Sequence, residues 1–297
     1  MSVAVAQRKT AGAYLQAPVQ NRVTMFLRRL ARNRTAVAGG VVVLVVILIA
    51  IFAPLVAPYP PIEQNFTAYL TAPSSAHLFG TDEQGRDLLS RVIYGSRISL
   101  RIGIIAVSIG AVAGLACGLV AGYYGGWADT VIMRWMDIML AFPEILLALA
   151  IVAILGPALT TVMVGVGIAS IPHYTRVVRG SVLSVKQAEY ISAAHVVGCS
   201  PSRIIVRHVL PNTIAPVMVL ATTGTAAAII TGAALSFLGL GVQPPAPEWG
   251  SMLSNGRTYL QHAPWIVTFP GLAIMVTVIA INLFGDGLRD ALDPRLK

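Results

Sequence analysis

The sequence predicts an all-α polytopic membrane protein with six transmembrane helices and both termini in the cytoplasm. Three observations carry that expectation. Mean hydropathy over the chain is +0.75. Only 11% of the 297 residues are Asp, Glu, Lys or Arg, where an average soluble domain carries about 25%. The apolar residues fall in runs long enough to cross a hydrocarbon core, with basic residues clustered at the ends of those runs. The formal net charge of +9 is therefore read as membrane orientation and not as nucleic-acid binding. Cys117 falls in an apolar run and Cys199 in a polar segment, so no disulfide framework is expected.

Residues 1–35 form a basic N-terminal segment with none of the marks of a cleavable signal peptide. Residues 1–20 show no periodicity. In NRVTMFLRRLARNRT, Val23, Phe26, Leu27 and Leu30 recur at helical spacing. The segment is read as an interfacial amphipathic helix on the cytoplasmic face or as a plain basic flank. Residues 36–57 carry no charge and suffice for the first span. Pro58, Pro60 and Pro61 end it.

Residues 58–97 are expected outside the cytoplasm, with a short surface helix from Asp87 onward capped by Thr81 or Asp82. A metal site from Asp82, Glu83 and Asp87 has only His77 to support it and is set aside. Span two covers residues 102–122, where Gly103, Gly110, Gly114 and Gly118 permit close helix packing. Tyr123 to Arg134 reads as a short cytoplasmic turn. From Ile138 to Pro172 the only charge is Glu144. One helix of that length would measure about 50 Å, too long for a single crossing. Gly156-Pro157 divides it into span three, residues 132–155, and span four, residues 158–178. With that division only Arg86, Arg91, Arg97, Arg101 and Arg257 lie outside, and every other Lys and Arg faces the cytoplasm. Span five covers residues 214–235, a Gly- and Pro-rich segment at 236–264 reads as a partly re-entrant external loop, and span six covers residues 265–284. Residues 285–297 form a cytoplasmic tail. Trp249 and Trp265 are expected at the outer membrane interface. Pro143, Pro172 and Pro216 are expected to kink spans three, four and five.

Residues 185–212, VKQAEYISAAHVVGCSPSRIIVRHVLPN, are a polar, basic island among these spans. A first short helix would stop at Gly198, suited to the left-handed position after a helix. Ser200 would cap a second, with Pro201 at its first position and Pro211 closing it. The product is a bent, stiff knob with Arg203 and Arg207 on its basic rim.

This segment resembles the EAA loop of importer-type ABC permeases, whose pattern runs Glu-Ala-Ala, then Gly, then Ile and Leu-Pro. Ala193, Ala194, Gly198, Leu210 and Pro211 fall in register, while Ser192 stands in place of the Glu and His208 in place of the Ile. Glu189, one turn earlier, offers a carboxylate on roughly the same face. Further stretches, FGTDEQGRDLLSRVIYGSRISL, DIMLAFPEILLAL, LSFLGLGVQPPAPEWGSML and GDGLRDALDPRLK, are similar to the C-type permease subunit of oligopeptide and dipeptide ABC importers. The resemblance implies a type I ABC importer permease fold in a prokaryotic plasma membrane. It implies a B-type permease partner, one or two ABC ATPase subunits that bind ATP and Mg, and an external substrate-binding protein. It also implies that the knob is the coupling helix, and Glu189, Ala193, Ala194, Gly198, Ser200, Pro201, Arg203, Arg207, Leu210 and Pro211 are carried over as its coupling residues.

Independently of the resemblance, no G-x-x-x-x-G-K-[ST] phosphate loop occurs, so this chain is expected neither to be an enzyme nor to hold a cofactor. Glu144, an acid within a span, would line the substrate path or pair with a partner subunit. His173, Tyr174, His195, His208 and His262 are not spaced as metal ligands. An ion-coupled secondary transporter would show coupling carboxylates or two similar halves with broken helices, and a membrane enzyme would show a nucleophile with its base; neither pattern is present. Within the family the cargo remains open among di- and oligopeptides, glutathione, nickel and haem.

Overall fold

The computed structural model describes residues 29–292 and is helical throughout its ordered elements. Residues 1–28 and 293–297 lie outside the described residues, and with them the expectations for residues 1–20, most of the N-terminal amphipathic segment and the end of the tail. Residues 29–32 are helical.

Helix α1, Arg34–Ile51, begins at Asn33, whose Oδ1 accepts from the Ala36 amide at 3.1 Å. A short α2, Ala53–Val56, completes the predicted first span. Arg97 then donates from Nε to the Ala50 carbonyl at 2.5 Å and from Nη2 to Ile51 at 3.0 Å. These are carbonyls that the end of α1 leaves without an intrahelical partner.

Helix α3, Leu88–Tyr124, is one rod of 37 residues, about 55 Å long. The separate surface helix expected before span two is simply its first turns. Its cap is Asp87, not Thr81 or Asp82: the Asp87 carboxylate accepts from the amide and hydroxyl of Ser90 at 2.8 and 2.7 Å. The expected turn at 123–134 is also corrected. The chain reverses at Gly125 and enters α4, Gly126–Leu140. After Pro143 comes α5, Glu144–Leu155, and the two helices meet at 89°. Span three is therefore a broken pair and not one continuous rod. Helix α6, Leu159–Lys186, carries Pro172 inside it.

The packing of α6 on α3 sets the topology. A Cβ on Gly118 would lie 2.6 Å from Val178 Cβ, and one on Gly122 would lie 2.7 Å from Val182 Cβ. Gly114 meets Tyr174 in the same way. Residue numbers rise together along this seam, so α3 and α6 are parallel. Glycine every fourth residue puts a groove along one helix face, and the Tyr and Val side chains of α6 fill it.

Helix α7, Glu189–Val196, leads through α8, Pro201–Ile204, and a π segment, Ile205–Val209, into α9, Leu210–Phe237. Gly103 meets Ile229 and Gly232 meets Ile102, so α9 runs antiparallel to α3. Helix α10, Trp249–Gly256, lies inside the segment expected to be an external loop. Helix α11, Trp265–Leu292, packs antiparallel to α1, with Gly39 against Ala280 and Gly287 against Ala36. Much of the predicted tail is thus the last turns of α11. Four described helices or continuous helical runs are long and apolar enough to cross a membrane, or five if α4 and α5 count as one bent span; α6 is not among them.

A cap built from residues 58–87 and 238–264 covers the start of α3. Arg86 Nε bonds Asp82 at 2.7 Å, Arg86 Nη2 bonds Glu83 at 3.0 Å and Arg91 Nε lies 3.3 Å from Asp82. Arg91 also donates to the Pro61 carbonyl at 2.9 Å. Asp82, Arg86 and Arg91 are buried, so each charge depends on the others. Trp249 and Trp265, expected at the outer membrane interface, also serve as pins of this cap. Trp249 is 2% exposed, sits against Gly95 and donates to Val92 at 3.0 Å; Trp265 donates to Thr81 at 3.1 Å. Beside them the fully buried Glu248 caps α10, accepting from the Gly250 and Ser251 amides at 2.9 and 2.8 Å. Burial holds its carboxyl above the usual carboxylate range, against the pull of those two amides.

The seam yields a test. Gly118→Leu would force a side chain into Val178, and overpacking of this kind costs about 1–3 kcal/mol. A lowered thermal midpoint and loss of the monodisperse detergent-solubilised peak are expected. Gly180→Ala, where nothing lies within 4 Å of the added carbon, should match wild type in the same assays.

Candidate functional site

Two features share the end of the bundle where α3 and α6 terminate. One is the knob between α6 and α9, and the other is a row of ion pairs leading up to it.

The knob is anchored first. Lys186 closes α6 and donates to the Tyr123 carbonyl at 2.6 Å and to Gly122 at 3.4 Å, satisfying the carbonyl end of α3. Ile191 of α7 is buried and Ala194 is partly buried, so this side of α7 faces the bundle. At its far end the amide of Gly198 bonds the His195 carbonyl at 2.9 Å and that of Cys199 bonds Ala194 at 3.0 Å. This crossed pair is the Schellman arrangement, which needs a left-handed residue, and Gly198 has φ +80°. The corner pushes Val196 and Val197 outward, 88% and 82% exposed. On the second arm Ile204 and Val209 are buried while Arg203 and Arg207 are exposed. Tyr190 of α7 and His208 face each other with ring centroids 6.4 Å apart. Asn212 Nδ2 donates to the His208 carbonyl at 2.6 Å and reaches the Tyr190 hydroxyl at 3.4 Å. These contacts brace one arm against the other.

The coupling residues expected from sequence all fall on this knob or its base. Glu189 opens α7, Ala193 is exposed, and Ser200 and Pro201 begin α8. Two details are corrected. Ser200 holds the cap position without a side-chain cap bond; its Oγ lies 3.3 Å from that of Ser202. Pro211 does not close the second helix, because the chain stays helical from Pro201 to Phe237. The π segment explains this. The Leu210 amide bonds back to Ile205, and the widened turn relieves the clash that a proline ring makes with an ordinary preceding turn.

The row of ion pairs was not foreseen. Arg179 grips Asp129 through Nε at 2.5 Å and Nη2 at 2.7 Å. Arg176 Nη2 bonds Asp137 at 2.7 Å, and His173 Nε2 lies 3.8 Å from Glu144. The three bases recur every third residue of α6 and so share one face. That spacing is visible in the sequence, but the acids come from both sides of a break whose 89° angle the sequence does not reveal. Glu144 starts α5 at this break and does not sit in the middle of a helix. Adjacent to the row, a cavity of about 680 Å³ opens between α6, α9 and α11, lined among others by Val177, Asn212, Pro216, Thr223, Asp286 and Arg289. Among the described residues no three His, Cys, Asp or Glu side chains group as a metal site.

A family model described as the binding-protein-dependent transport system inner membrane component matches residues 114–297. A second, the N-terminal TM domain of oligopeptide transport permease C, matches residues 22–73. The chain is 50% identical over 270 residues to the dipeptide transport system permease protein DppC of Alkalihalophilus pseudofirmus, covering 91% of this chain and 89% of that one. It is 49% identical over 278 residues to the di/tripeptide transport system permease protein DppC of Pseudomonas aeruginosa, covering 92% of each. To the glutathione transport system permease protein GsiD of Pectobacterium atrosepticum it is 49% identical over 275 residues, covering 92% and 91%. Among solved structures, an inward-facing form of the MetNI methionine ABC transporter aligns with a TM-score of 0.56 at 19% identity, over 69% of this chain and 98% of that chain. An amino acid ABC transporter with histidines aligns at 0.53 and 16% identity, over 69% and 95%.

The corner itself can be tested before any transport assay. A Cβ on Gly198 meets nothing within 4 Å, so a substitution there costs only backbone strain. Gly198→Val should lower the thermal midpoint by the equivalent of about 1–2 kcal/mol, and Gly198→Asn by clearly less, since Asn tolerates the left-handed region.

Proposed function

We infer the function from one premise: the chain belongs to the family of binding-protein-dependent transport system inner membrane components. It is a permease subunit of an ATP-driven ABC importer in a bacterial inner membrane, with peptides as cargo. The peptide assignment follows the relatives named for dipeptides and for di- and tripeptides. The relative named for glutathione, itself a short peptide, keeps that cargo as the second reading.

The topology we propose has six spans. Since α3 and α6 are parallel, the chain between them must cross back once, and α4 with α5 is the segment available. If α3 crosses, α6 crosses beside it, although its His and Arg residues leave it less apolar than its neighbours. Tracing the antiparallel pairs onward puts the knob, the end of α3 and the start of α1 on one side. The abundance of basic residues there marks that side as cytoplasmic.

The partners that complete the reading are a B-type permease, one or two ATPase subunits carrying ATP and Mg, and an external binding protein. The observation supporting a coupling role is the knob's shape: two exposed valines on a braced corner, flanked by Arg203 and Arg207. An apolar tip with a basic rim suits a cleft with acidic edges. Because α8, the π segment and α9 form one continuous rod, a push on the corner is delivered directly to the α9 span. The connection through Lys186 delivers it to α3 and α6 as well. Closure of the ATPase pair then tilts the bundle and alternates access between the two faces.

Gly198→Glu would bury a charge at the apolar seat. Peptide uptake by proteoliposomes should fall to background, while membrane insertion of the variant stays at the wild-type level. Wild-type uptake and binding-protein-stimulated ATP hydrolysis in that variant would remove the coupling assignment.

A further inference from the structure

Three ion pairs on one face of a membrane helix need an explanation beyond coupling. The sequence from Leu159 to Pro172 is uncharged, which puts His173 about 21 Å from the outer end of α6, and Arg179 about 30 Å. In the proposed six-span topology, with the start of α6 at the outer boundary, the Glu144–His173 pair lies inside the hydrocarbon thickness and Asp137–Arg176 close to its inner boundary. Both pairs are open at their surface. The side chains of His173 and Glu144 are 53% and 37% exposed, and those of Arg176 and Asp137 are 51% and 48% exposed. Ionisable groups at that depth are turned away from lipid, toward protein or water. The next residue of α6, Val177, lines the cavity of about 680 Å³, which is also lined by Asp286 and Arg289.

We propose that the face of α6 bearing His173 and Arg176, with Glu144 and Asp137 opposite, is the cytoplasmic half of the translocation path and a transit site for the charged ends of a short zwitterionic peptide. Each base there already faces an acid, so the wall offers partners to a cation and to an anion alike. A peptide brings one ammonium and one carboxylate. Its ammonium takes the place of a base beside Glu144 or Asp137, and its carboxylate takes the place of an acid beside Arg176. The exchange leaves the local charge unchanged. Exposed pairs hold each other weakly, and the Glu144–His173 contact at 3.8 Å is looser than a direct hydrogen bond. Weak partners can be exchanged and released, which is what a site for passage needs and a site for storage does not.

This inference rests on the importer reading for its cargo, but its first test needs no cargo. His173→Cys, Arg176→Cys and Val177→Cys are made singly in a chain with Cys117→Ser and Cys199→Ser, and assembled with the partner subunits in vesicles. A charged, membrane-impermeant thiol reagent added from the cytoplasmic side should label all three within minutes. Trapping the ATPases with vanadate should slow labelling at least fivefold. If none is labelled in either state, the face is sealed against protein or lipid and the proposal is overturned. Second, Glu144→Gln and Asp137→Asn should each lower dipeptide uptake at least tenfold, with binding-protein-stimulated ATP hydrolysis kept within twofold. Undiminished uptake overturns the proposal. So does equal loss of uptake and ATP hydrolysis, which would make the pairs structural. A wild-type complex that moves no peptide would refute the cargo assignment alone, because the labelling result does not depend on it.

Discussion

The close parallel contact of α3 with α6 is the constraint on which the rest of the molecule depends. Glycine at every fourth position of α3 lets Tyr174, Val178 and Val182 sit almost on its backbone. In lipid, where apolar side chains gain little by leaving their surroundings, such intimate van der Waals contact is a main source of helix association. Two parallel neighbours cannot be joined by a short turn, so the chain between them has to return. The return is α4 and α5, and their break at Pro143 sets acids from both helices against successive bases of α6. The same contact delivers the end of α6 beside the end of α3, where Lys186 ties them and fixes the direction in which the knob leaves.

Much of this was legible in the sequence because membrane spans obey a coarse rule. Charge-free runs of sufficient length mark spans, and the sidedness of Lys and Arg orders them. The knob was legible too, since Gly198 and Pro201 announce a corner by local stereochemistry. Where the reading went astray, a different physics had won. Hydropathy marks where the membrane ends and not where a helix ends. Thus α11 runs through Asp286, Arg289 and Asp290 to Leu292, and α3 begins at Leu88 well before its apolar stretch. The segment from Tyr123 to Arg134 reads as a short turn, yet the reversal is complete at Gly125 and α4 starts at Gly126.

What local reading could not supply came from tertiary contacts. Trp249 and Trp265 carry the amphipathic side chain that favours interfaces, and their indole N–H groups also find backbone carbonyls of α3 and of the cap. Nothing within a few residues of either tryptophan points to Val92 or Thr81. Pro211 illustrates the opposite case, a local rule defeated locally. A proline is expected to end a helix, and a single widened turn before it lets the helix continue. The ion pairs failed to register because only half of the pattern, the three-residue spacing of His173, Arg176 and Arg179, belongs to one helix.

Stiffness is unevenly distributed along the bundle, and the distribution suits a machine driven from one end. The cap over the start of α3 holds a buried network of Asp82, Arg86 and Arg91. Separating one member would strand its partner's charge away from water, at a cost of about 3–5 kcal/mol, so the outer ends of α3 and the cap resist relative motion. At the knob end the rod from Pro201 to Phe237 is unbroken, and the knob is braced by Tyr190, His208 and Asn212. Between those stiff regions lie the α4–α5 break and the exposed pairs on α6, which cost little to rearrange. Under the importer reading, a displacement applied at the knob is therefore absorbed where the ion pairs are, beside the cavity, and not at the corner or the cap. The element that yields most cheaply is the one whose rearrangement would open or close the path.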